Sequence, residues 1–291
     1  MKTILAFIIV CAALSLPLRG YGQDELLIGL VPEENIFRQM DRYRPLAAYL
    51  SARIGIKVKL TILSKYGDII DRFVSRNMDG AFFGAFTALL AVEKLPVEPI
   101  ARAVNLDGSS TVESFIFVRS DSGIKGVRDM KGKRMAFVDR ATASGYLFAI
   151  GFLRENGIRD IDRFFKEYFF TGSHDSAIYS VLDNRADVGT AESKVYYRIT
   201  GKDRSIKDEL SIIGRSRGFP GTILCVKRDM PEERKSRIRE VLFGMEKDPE
   251  GRKVLEKYGA LRFIAAGKDA FLPLMEIVNK AGIDIKAYKY K

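Results

Sequence analysis

Short apolar runs and amphipathic helical stretches alternate along the chain, and this alternation limits the possible folds more than any other feature. In the first half, the runs predict strands and the stretches predict helices in the order 26–30, 43–54, 57–63, 66–76, 80–83 and 86–92. Consecutive strands joined through helices run parallel and are covered by helices on both faces. The sequence therefore predicts an α/β fold with a largely parallel sheet.

The same alternation starts again after the polar segment 120–123. Strands and helices are predicted in the order 134–138, 146–155, 168–170, 176–184, 188–191 and 195–199. Strand-like runs at 114–119 and 210–226 predict two crossings, because the helices after Pro231 have no lobe of their own to complete. We therefore expect two parallel-sheet-based lobes joined by a two-crossing hinge, one formed by 24–117 with 216–291 and the other by 118–215.

The N-terminus has the pattern of a secretory signal peptide. Lys2 precedes the 13 uncharged residues 4–16, and the small residues Gly20 and Gly22 follow, spaced two apart. At about 1.5 Å per residue the apolar run spans about 20 Å, which is too short for a hydrocarbon layer of roughly 30 Å. We predict cleavage after 1–22 and export to the periplasm or another extracytoplasmic space. A lipoprotein attached through Cys11 is the less favoured alternative, because Val10 stands where such signals have a small residue.

The net charge excludes some partners and favours others. The chain carries 48 basic and 37 acidic side chains, a charge of +11, and removal of Lys2 and Arg19 with the signal leaves +9. The basic residues are dispersed and are not interleaved with aromatic residues, so nucleic-acid binding has little support. A dispersed positive surface is better suited to attracting small anions or an anionic membrane surface.

The cysteine and histidine counts exclude several kinds of chemistry. Once Cys11 leaves with the signal, Cys225 is the one remaining cysteine, and His174 is the only histidine. No intrachain disulfide can form in the mature chain, and a zinc site built from several such ligands is excluded. Cys225 lies in an apolar run, which favours a core position over a nucleophile. We expect no metal and no cofactor.

Four strand-to-helix turns carry hydroxyl groups or glycine, at 64–67, 83–87, 139–146 and 171–176. Ligands of open parallel sheets bind at the carboxyl ends of the strands, where such turns lie. The free N–H groups and the positive dipole end of a helix N-terminus favour an anion there. The alternative is that Ser144, Ser173 and Thr87 are ordinary helix N-caps, each contributing about 1 kcal/mol.

A hydrolase is a further alternative, with Ser144 or Ser173 as nucleophile beside His174 and Asp175. Two observations argue against this possibility. His174 and Asp175 are consecutive, so their side chains diverge from a helix start, and no Gly-x-Ser-x-Gly elbow surrounds either serine. We therefore do not expect an enzyme.

Several of these segments together resemble a known family. The sequences at 43–50, 79–84, 139–146, 172–177 and 187–189 are similar, in this order, to those of the phosphate-, phosphite- and phosphonate-binding proteins of ABC transporters. The resemblance spans 26–230. It implies the type II periplasmic binding protein fold, which closes around a tetrahedral phosphorus oxyanion and delivers it to a membrane permease. It further implies a monomer whose partners are this small anion and the permease.

The same resemblance implies a set of ligand-binding residues. They are Tyr66, Phe83 and Gly84 on the first lobe and Thr142, Ala143, Ser144, Gly145, His174, Asp175 and Glu192 on the second. The family usually has Ser-Thr-Ser-Gly at 142–145 and often a tyrosine at position 83. Ala143 and Phe83 therefore each remove a hydroxyl group that the family commonly has.

Two of these residues also have simpler interpretations, and so does the function. His174 could donate to an oxyanion or only order its turn, and Glu192 could accept a ligand oxygen's proton or a ligand amine, or be an ordinary exposed glutamate near a helix start. An extracytoplasmic sensing subunit that reports ligand to a membrane kinase is the alternative to a transport receptor. Both functions need a hinge, a cleft and a docking surface.

Overall fold

The computed structural model describes residues 25–290, so the predicted signal peptide at 1–22 lies outside the described residues. The strands are β1 (Glu25–Leu30), β2 (Lys57–Ile62), β3 (Gly80–Phe83), β4 (Val97–Val104), β5 (Thr111–Val112), β6 (Ser114–Arg119), β7 (Arg134–Phe137), β8 (Glu167–Phe170), β9 (Val188–Glu192), β10 (Leu210–Arg215), β11 (Phe219–Pro220), β12 (Ile223–Lys227) and β13 (Arg262–Ala265). The helices are α1 (Ile36–Ile54), α2 (Asp68–Ser75), α3 (Ala85–Lys94), α4 (Phe148–Glu155), α5 (Ile161–Phe164), α6 (His174–Leu182), α7 (Ser193–Lys202), α8 (Arg204–Glu209), α9 (Glu232–Gly244), α10 (Pro249–Tyr258) and α11 (Leu272–Ala281). The predicted α/β class with two sheet-based lobes is confirmed.

Each lobe is built on one mixed sheet. The first lobe has six strands in the order β13-β4-β12-β3-β1-β2, and the second has five in the order β10-β6-β9-β7-β8. In the first sheet β1 to β4 share one direction, while β12 and β13 run opposite to them. In the second sheet β6 alone is reversed. The sheets are therefore largely parallel, as predicted, with reversed strands that the periodicity did not reveal.

The reversed strands β6 and β12 follow from where the chain enters each lobe. Strand β6 begins with Ser114 opposite Glu192 at the carboxyl end of β9, and β12 begins with Ile223 opposite Phe83 at the carboxyl end of β3. Between the sheets, β5 and β11 pair as a short antiparallel ribbon, with Val112 opposite Phe219. Because both crossings enter at the carboxyl-end edge, the cleft between the lobes lies along that edge.

Two elements sit differently from the lobe boundaries expected from sequence. All of β6 pairs within the second sheet, although the expected boundary at 117/118 falls inside this strand. Helix α11, in a segment expected to belong wholly to the first lobe, packs on α4 of the second. There Arg154 donates to the Ala281 carbonyl oxygen, and Lys280 lies 2.9 Å from the Glu155 carboxylate. After β13 the chain runs along the β5–β11 ribbon between the sheets and reaches the second lobe again. This path places α11 on the second lobe.

Helix α1 begins two turns earlier than its apolar periodicity predicts, at Ile36 rather than at position 43. Asn35 caps it by accepting hydrogen bonds from two backbone N–H groups of the first turn. The inward-facing residues of the added turns are Gln39 and Arg42, which are polar yet buried. Polar residues on the buried face conceal an amphipathic pattern, and these two residues reach the cleft.

Two expectations about apolar segments can be compared with the described residues, namely the position of Cys225 and the length of the apolar helices. Cys225 on β12 is fully buried, and burial raises the pKa of its thiol well above the usual range. It therefore lies in the core, as the apolar run indicated. Within residues 25–290, every helix is too short or too polar to cross a bilayer.

Candidate binding site between the lobes

The carboxyl ends of the parallel strands from both sheets meet at the cleft between the lobes. The first lobe contributes the turns after β1, β2 and β3, and the second contributes those after β7 and β8 together with the end of β9. Hydrogen bonds join the two sides directly. The backbone N–H of His174 in the second lobe donates to the Glu33 carbonyl oxygen in the first at 3.1 Å. The described structure is therefore a closed arrangement of the lobes.

His174 is buried at the N-terminus of α6, and its hydrogen bonding determines its tautomer. Its Nδ1 accepts a hydrogen bond from the Glu192 backbone N–H at 3.2 Å. Burial lowers the pKa of His174 to about 4, so the ring is neutral near pH 7. A neutral imidazole whose Nδ1 accepts carries its proton on Nε2. That Nε2–H has no hydrogen-bond partner among residues 25–290, which leaves a neutral donor in the cleft.

Tyr66 contributes a second unpaired donor from the opposite lobe. Its ring meets that of His174 edge to face, with 5.9 Å between centroids. The hydroxyl is buried without a hydrogen-bond partner among the described residues, which is costly unless something else satisfies it. Burial and the nearby charge of Glu33 raise the pKa of Tyr66, so the hydroxyl keeps its proton. A ligand in the cleft could accept from it.

The turn after β7 contains a π-helical segment, Ala143–Leu147, that precedes α4. Ser144 is buried in this segment, and its hydroxyl makes no hydrogen bond to any described residue. The first N–H groups of such a turn have no acceptor within the helix. Gly145 is required sterically, because a Cβ there would lie 2.3 Å from the Cβ of Val138. The turn therefore presents backbone N–H groups and one hydroxyl to the cleft.

The remaining hydroxyls of these turns are engaged by the protein itself. Ser173 caps α6, since its hydroxyl accepts from the Ser176 N–H, and it also donates to Asp175 at 2.6 Å. Thr142 donates to the Asp139 carbonyl oxygen at 2.6 Å, and Thr87 donates to that of Gly84 at 2.9 Å. The alternative of an ordinary cap therefore holds for Ser173, whereas Ser144 has no capping role.

Three further residues that were expected at the site, Phe83, Gly84 and Ala143, are packed against other residues of the protein. Phe83 is fully buried on β3, with its ring centroid 6.2 Å from that of Phe73. Gly84 follows at the start of α3, and a Cβ there would lie 3.5 Å from the Tyr66 ring. Ala143 is buried at the start of the π-helical turn. None of these three residues brings a side-chain hydrogen-bond donor.

Asp175 joins the lobes. Its Oδ2 accepts from the Asn35 backbone N–H at 2.9 Å and from the Arg38 guanidinium at 3.1 Å, both in the first lobe. Its Oδ1 accepts from Ser173 and from the Ser176 N–H in its own lobe. Asp175 is therefore occupied on both carboxylate oxygens by the protein.

A buried ionic cluster beside the cleft was missed by the sequence analysis. Glu33 accepts from Arg42 at 2.9 Å and from the Thr222 hydroxyl at 2.6 Å. Although burial opposes its charged form, Arg42 and Thr222 lower the pKa of Glu33 to about 2. The available signal was the turn 31–35, which follows β1 at the same carboxyl-end edge as the other turns. This turn carries acidic side chains instead of hydroxyl groups, so its composition does not indicate an anion site.

This cluster continues into the second lobe through Glu34, which is 2.7 Å from Arg42 and 2.8 Å from Arg198 of α7. Both arginines beside the cleft are thus neutralised by carboxylates. An open groove of about 1290 Å³ lies outside these ion pairs, between α1, α10, α7 and the hinge. The Arg198–Glu34 pair therefore joins the two lobes, whereas both ion pairs of Arg42 lie within the first lobe, and neither arginine is left to bind a free anion.

Glu192 and Lys194 flank the cleft at the end of β9. Burial and the charge of Glu33 raise the pKa of Glu192, and its carboxyl forms no hydrogen bond with a described residue. Burial lowers the pKa of Lys194, although Glu33 opposes this change. On the neighbouring strand Ser114, opposite Glu192 in register, has a buried hydroxyl without a partner among residues 25–290. Sequence reasoning missed Ser114 because it lies on a strand, outside the turns.

The arrangement of the serines does not support nucleophilic catalysis. The Ser173 hydroxyl is bonded to Asp175 and Ser176, and Nδ1 of His174 is bonded to the Glu192 backbone. A triad needs the histidine between the nucleophile and the acid. Within the described residues no group of three His, Cys, Asp or Glu side chains is arranged to hold a metal ion.

Comparison with protein families gives one match over most of the chain. Residues 28–271 match the family described as ABC transporter, phosphonate, periplasmic substrate-binding protein. This matched region contains every site residue named above. It begins two residues after the start of the stretch 26–230 over which the sequence itself showed the resemblance, and it continues past that stretch to residue 271.

Three known proteins illustrate the similarity. The phosphate-import protein PhnD of Mycolicibacterium smegmatis is 28% identical to this chain over 58% of the chain's length. The matched part is only 55% of the length of that protein. The phosphonates-binding periplasmic protein of Escherichia coli is 24% identical over 90% of this chain and 78% of its own length. The structure of PhnD1 from Prochlorococcus marinus in complex with methylphosphonate has a TM-score of 0.79 at 20% identity, covering 89% of this chain and 99% of that one. At that identity, the structural match shows a shared fold.

Proposed function

Because the chain belongs to the periplasmic phosphonate substrate-binding proteins of ABC transporters, we propose that it captures a phosphonate, phosphite or phosphate between its lobes and delivers it to an ABC permease. The permease recognises the closed form of the protein, since only the closed form brings the turns of both lobes together. The family consists of substrate-binding transport proteins, and we propose that this member has no enzymatic activity.

The observation that carries this proposal is the set of unpaired donors in the cleft. The Tyr66 hydroxyl comes from the first lobe, and the Ser144 hydroxyl and the Nε2–H of His174 come from the second. The Tyr66 hydroxyl is buried without an acceptor among the described residues, which is costly. An oxyanion supplies several acceptors at once and could also accept from the other two donors. Because all three donors are neutral, the anion would be held by hydrogen bonds and could leave when the lobes separate.

The remaining site residues take defined roles in this proposal. Thr142 and Gly145 hold the shape of the turn 139–146, which we call the oxyanion turn. The backbone N–H groups of this turn and the Ser144 hydroxyl contact the anion. Asp175 holds the closed lobes together and supports the turn that carries His174. Phe83, Gly84 and Ala143 form the wall, so the substituent of the phosphorus atom meets an apolar surface there.

Glu192 is the proposed specificity residue at the far side of the anion. A carboxyl whose pKa is raised can hold a proton near neutral pH and donate it to a ligand oxygen. In its charged form it would accept from a ligand amine instead. Both forms favour ligands with a polar group directed away from the oxyanion turn.

We further propose that residues 1–22 direct export and are removed, and that the mature protein is monomeric in the periplasm or an equivalent space. The family is extracytoplasmic, which agrees with export. The lobes would divide as the sequence predicts, into 24–117 with 216–291 and 118–215, except that β6 and α11 would belong to the second lobe, β6 through its sheet pairing and α11 through its packing on α4.

The test is ligand binding to the mature chain, measured by thermal shift and calorimetry. The panel is phosphate, phosphite, methylphosphonate, 2-aminoethylphosphonate and sulfate. A ligand at about 100 times its Kd should stabilise the fold by about 2.7 kcal/mol. Ser144→Ala, Tyr66→Phe and His174→Asn should each weaken binding about tenfold or more, because a hydrogen bond to a charged group is lost.

Two variants serve as matched controls. Ser180→Ala removes a buried hydroxyl that already donates to the Ser176 carbonyl oxygen, and Tyr49→Phe removes one that donates to Asp248. Both should leave the Kd unchanged. If no phosphorus oxyanion raises the melting temperature of the unaltered chain, or if the controls weaken binding as much as the site variants do, the proposal is wrong.

A further inference from the structure

The segment after α11, residues 282–290, returns across the cleft to the first lobe, and we call it the C-terminal strap. Four of its side chains are half-buried against the core shared by the lobes, namely Ile283, Ile285, Tyr288 and Tyr290. The strap is not part of either sheet. Side-chain packing and a few hydrogen bonds therefore hold the strap in place.

On the first lobe, the strap contacts the helices that follow β2 and β3. The ring of Tyr290 lies on Gly67, where a Cβ would come within 2.7 Å of it. Tyr288 meets Phe86 edge to face, with 5.4 Å between ring centroids, a favourable geometry for an aromatic pair. Lys94 donates to the Lys286 carbonyl oxygen at 3.2 Å. Gly67 follows Tyr66 directly, so this contact is next to the binding site.

On the second lobe, the strap touches the oxyanion turn itself. The Tyr288 hydroxyl donates to the Arg140 carbonyl oxygen at 2.9 Å. Burial raises the pKa of Tyr288, so this hydroxyl remains a donor. Arg140 lies in the first part of this turn, residues 139–142, which leads directly into the π-helical segment that carries Ser144. One strap residue therefore supports the backbone of the turn from outside the cleft.

The two sets of contacts differ in strength. The strap is anchored to the second lobe by α11, whose packing on α4 includes the Lys280–Glu155 ion pair and the close approach of Gly151 to Lys280. Its polar contact from Lys94 of the first lobe is exposed, and such contacts contribute little. When the lobes open, the strap should remain with the second lobe and detach from Gly67 and Phe86.

We propose that the C-terminal strap is a positioning element of the binding site, in which Tyr288 holds the oxyanion turn in its binding conformation and Tyr290 fixes the strap by docking beside Gly67. The Tyr288 bond joins elements that stay with the second lobe, and the docking of Tyr290 adds to this support in the closed form, which couples lobe closure to ligand affinity. This inference rests on the proposed function for its ligand, but the placement of the strap can be tested without one.

The first experiment is hydrogen exchange of the ligand-free chain over 139–147, in Tyr288→Phe and in the unaltered parent. Tyr288→Phe keeps the ring beside Phe86 and removes only the donor to Arg140. We expect faster exchange in this segment, with the urea midpoint of unfolding unchanged. Tyr49→Phe, which loses a hydroxyl bonded to Asp248 in the first lobe, should leave exchange at 139–147 as in the parent.

The second experiment measures methylphosphonate affinity in Tyr288→Phe, Tyr290→Ser and the double variant. Each single change should raise the Kd about two- to tenfold, the range expected for one lost hydrogen bond or contact. The double variant should be little worse than either single one, because both changes interrupt the same support. Fully additive effects would mean that Tyr288 and Tyr290 act separately and would overturn the coupling.

The two proposals fail in different ways. If methylphosphonate and the other phosphorus oxyanions do not bind the parent chain, the proposed function fails, while exchange at 139–147 still decides the role of the strap. Unchanged exchange in Tyr288→Phe overturns the inference. Faster exchange over the whole second lobe with a lower urea midpoint also overturns it, because the strap would then only stabilise the fold.

Discussion

Asp175 at the start of α6 and Arg38 in α1 form an ion pair across the cleft, with 3.1 Å between the Oδ2 atom and the guanidinium nitrogen. The same carboxylate oxygen accepts from the backbone N–H of Asn35, the residue that caps α1. The start of a helix in one lobe is thereby tied to the start of a helix in the other. These contacts exist only while the lobes are together.

Loss of the Asp175 charge should therefore make the closed form shorter-lived. Asp175→Asn keeps one oxygen for the Ser173 and Ser176 contacts but weakens both bonds to the first lobe. We expect bound oxyanion to dissociate faster, on the order of fivefold, since hydrogen bonds to charged groups are the stronger ones. Stopped-flow displacement measures this rate.

Asp187→Asn is the matched control for that prediction. Asp187 bonds Arg134 at 2.9 Å, but both residues lie in the second lobe. Its replacement should lower the free energy of unfolding without changing the dissociation rate. An equal rate increase in both variants would show that Asp175 acts through the stability of its own lobe.

Gly145 should tolerate no side chain. A Cβ at this position would overlap Val138 and come within 2.8 Å of the Thr142 hydroxyl, so the oxyanion turn would have to move. Gly145→Ala should abolish detectable binding and destabilise the fold by about 1–3 kcal/mol, the range for overpacked sites. Calorimetry and urea unfolding check both outcomes.

Gly201→Ala serves as the comparison for Gly145→Ala. Gly201 lies in α7, and a Cβ added there would meet no heavy atom of the described residues within 4 Å, so alanine fits. Alanine is favoured over glycine by about 1 kcal/mol in a helix interior, and Gly201, as the second-to-last residue of α7, should gain at most this much. We expect unchanged binding and equal or higher stability, and weaker binding in this variant would contradict the steric explanation.

Arg42 should be essential for stability, because it neutralises two buried carboxylates. Arg42→Met would leave Glu33 without its charged partner and Glu34 with Arg198 alone. Removal of one partner from a buried ion pair costs about 3–5 kcal/mol. Urea unfolding of Arg53→Met provides the contrast, since Arg53 pairs with Asp248 and Glu250 at the surface and such pairs contribute about 0–1 kcal/mol.

The pH dependence of stability should contain two opposing contributions from the cleft. The pKa of His174 is about 4 in the folded chain and 6.5 when unfolded, so the unfolded chain binds more protons between these values. This residue alone would lower stability by about 3 kcal/mol as the pH falls through that range. The raised pKa of Glu192 acts oppositely, because the folded chain then takes up a proton above pH 4.5 that the unfolded chain does not.

The two contributions can be separated by unfolding measurements from pH 5 to 7. Glu192→Gln should show a steeper loss of stability on acidification than the parent. His174→Asn should instead gain stability as the pH falls. Parallel profiles for the parent and both variants would mean that neither group titrates as its burial indicates.

Much of this organisation was available from the sequence. The strand order along the chain and the turns at 139–146 and 171–176, with Ser144 and His174, follow from local periodicity and turn composition. Tyr66 was indicated by the family resemblance. The early start of α1 did not, because Gln39 and Arg42 occupy its buried face. The reversed strands β6 and β12 were also hidden, since strand direction depends on which edge of the sheet the chain enters.

The sequence by itself determined the two α/β lobes and the edge at which the candidate site lies, because side-chain periodicity and the order of strands and helices are local properties of the chain. Only the tertiary structure decided which charges meet in the cleft. Glu33 and Thr222 are 189 positions apart, yet they share a hydrogen bond of 2.6 Å. Electrostatic and hydrogen-bond energies depend on distance through space, and the folded arrangement alone sets that distance.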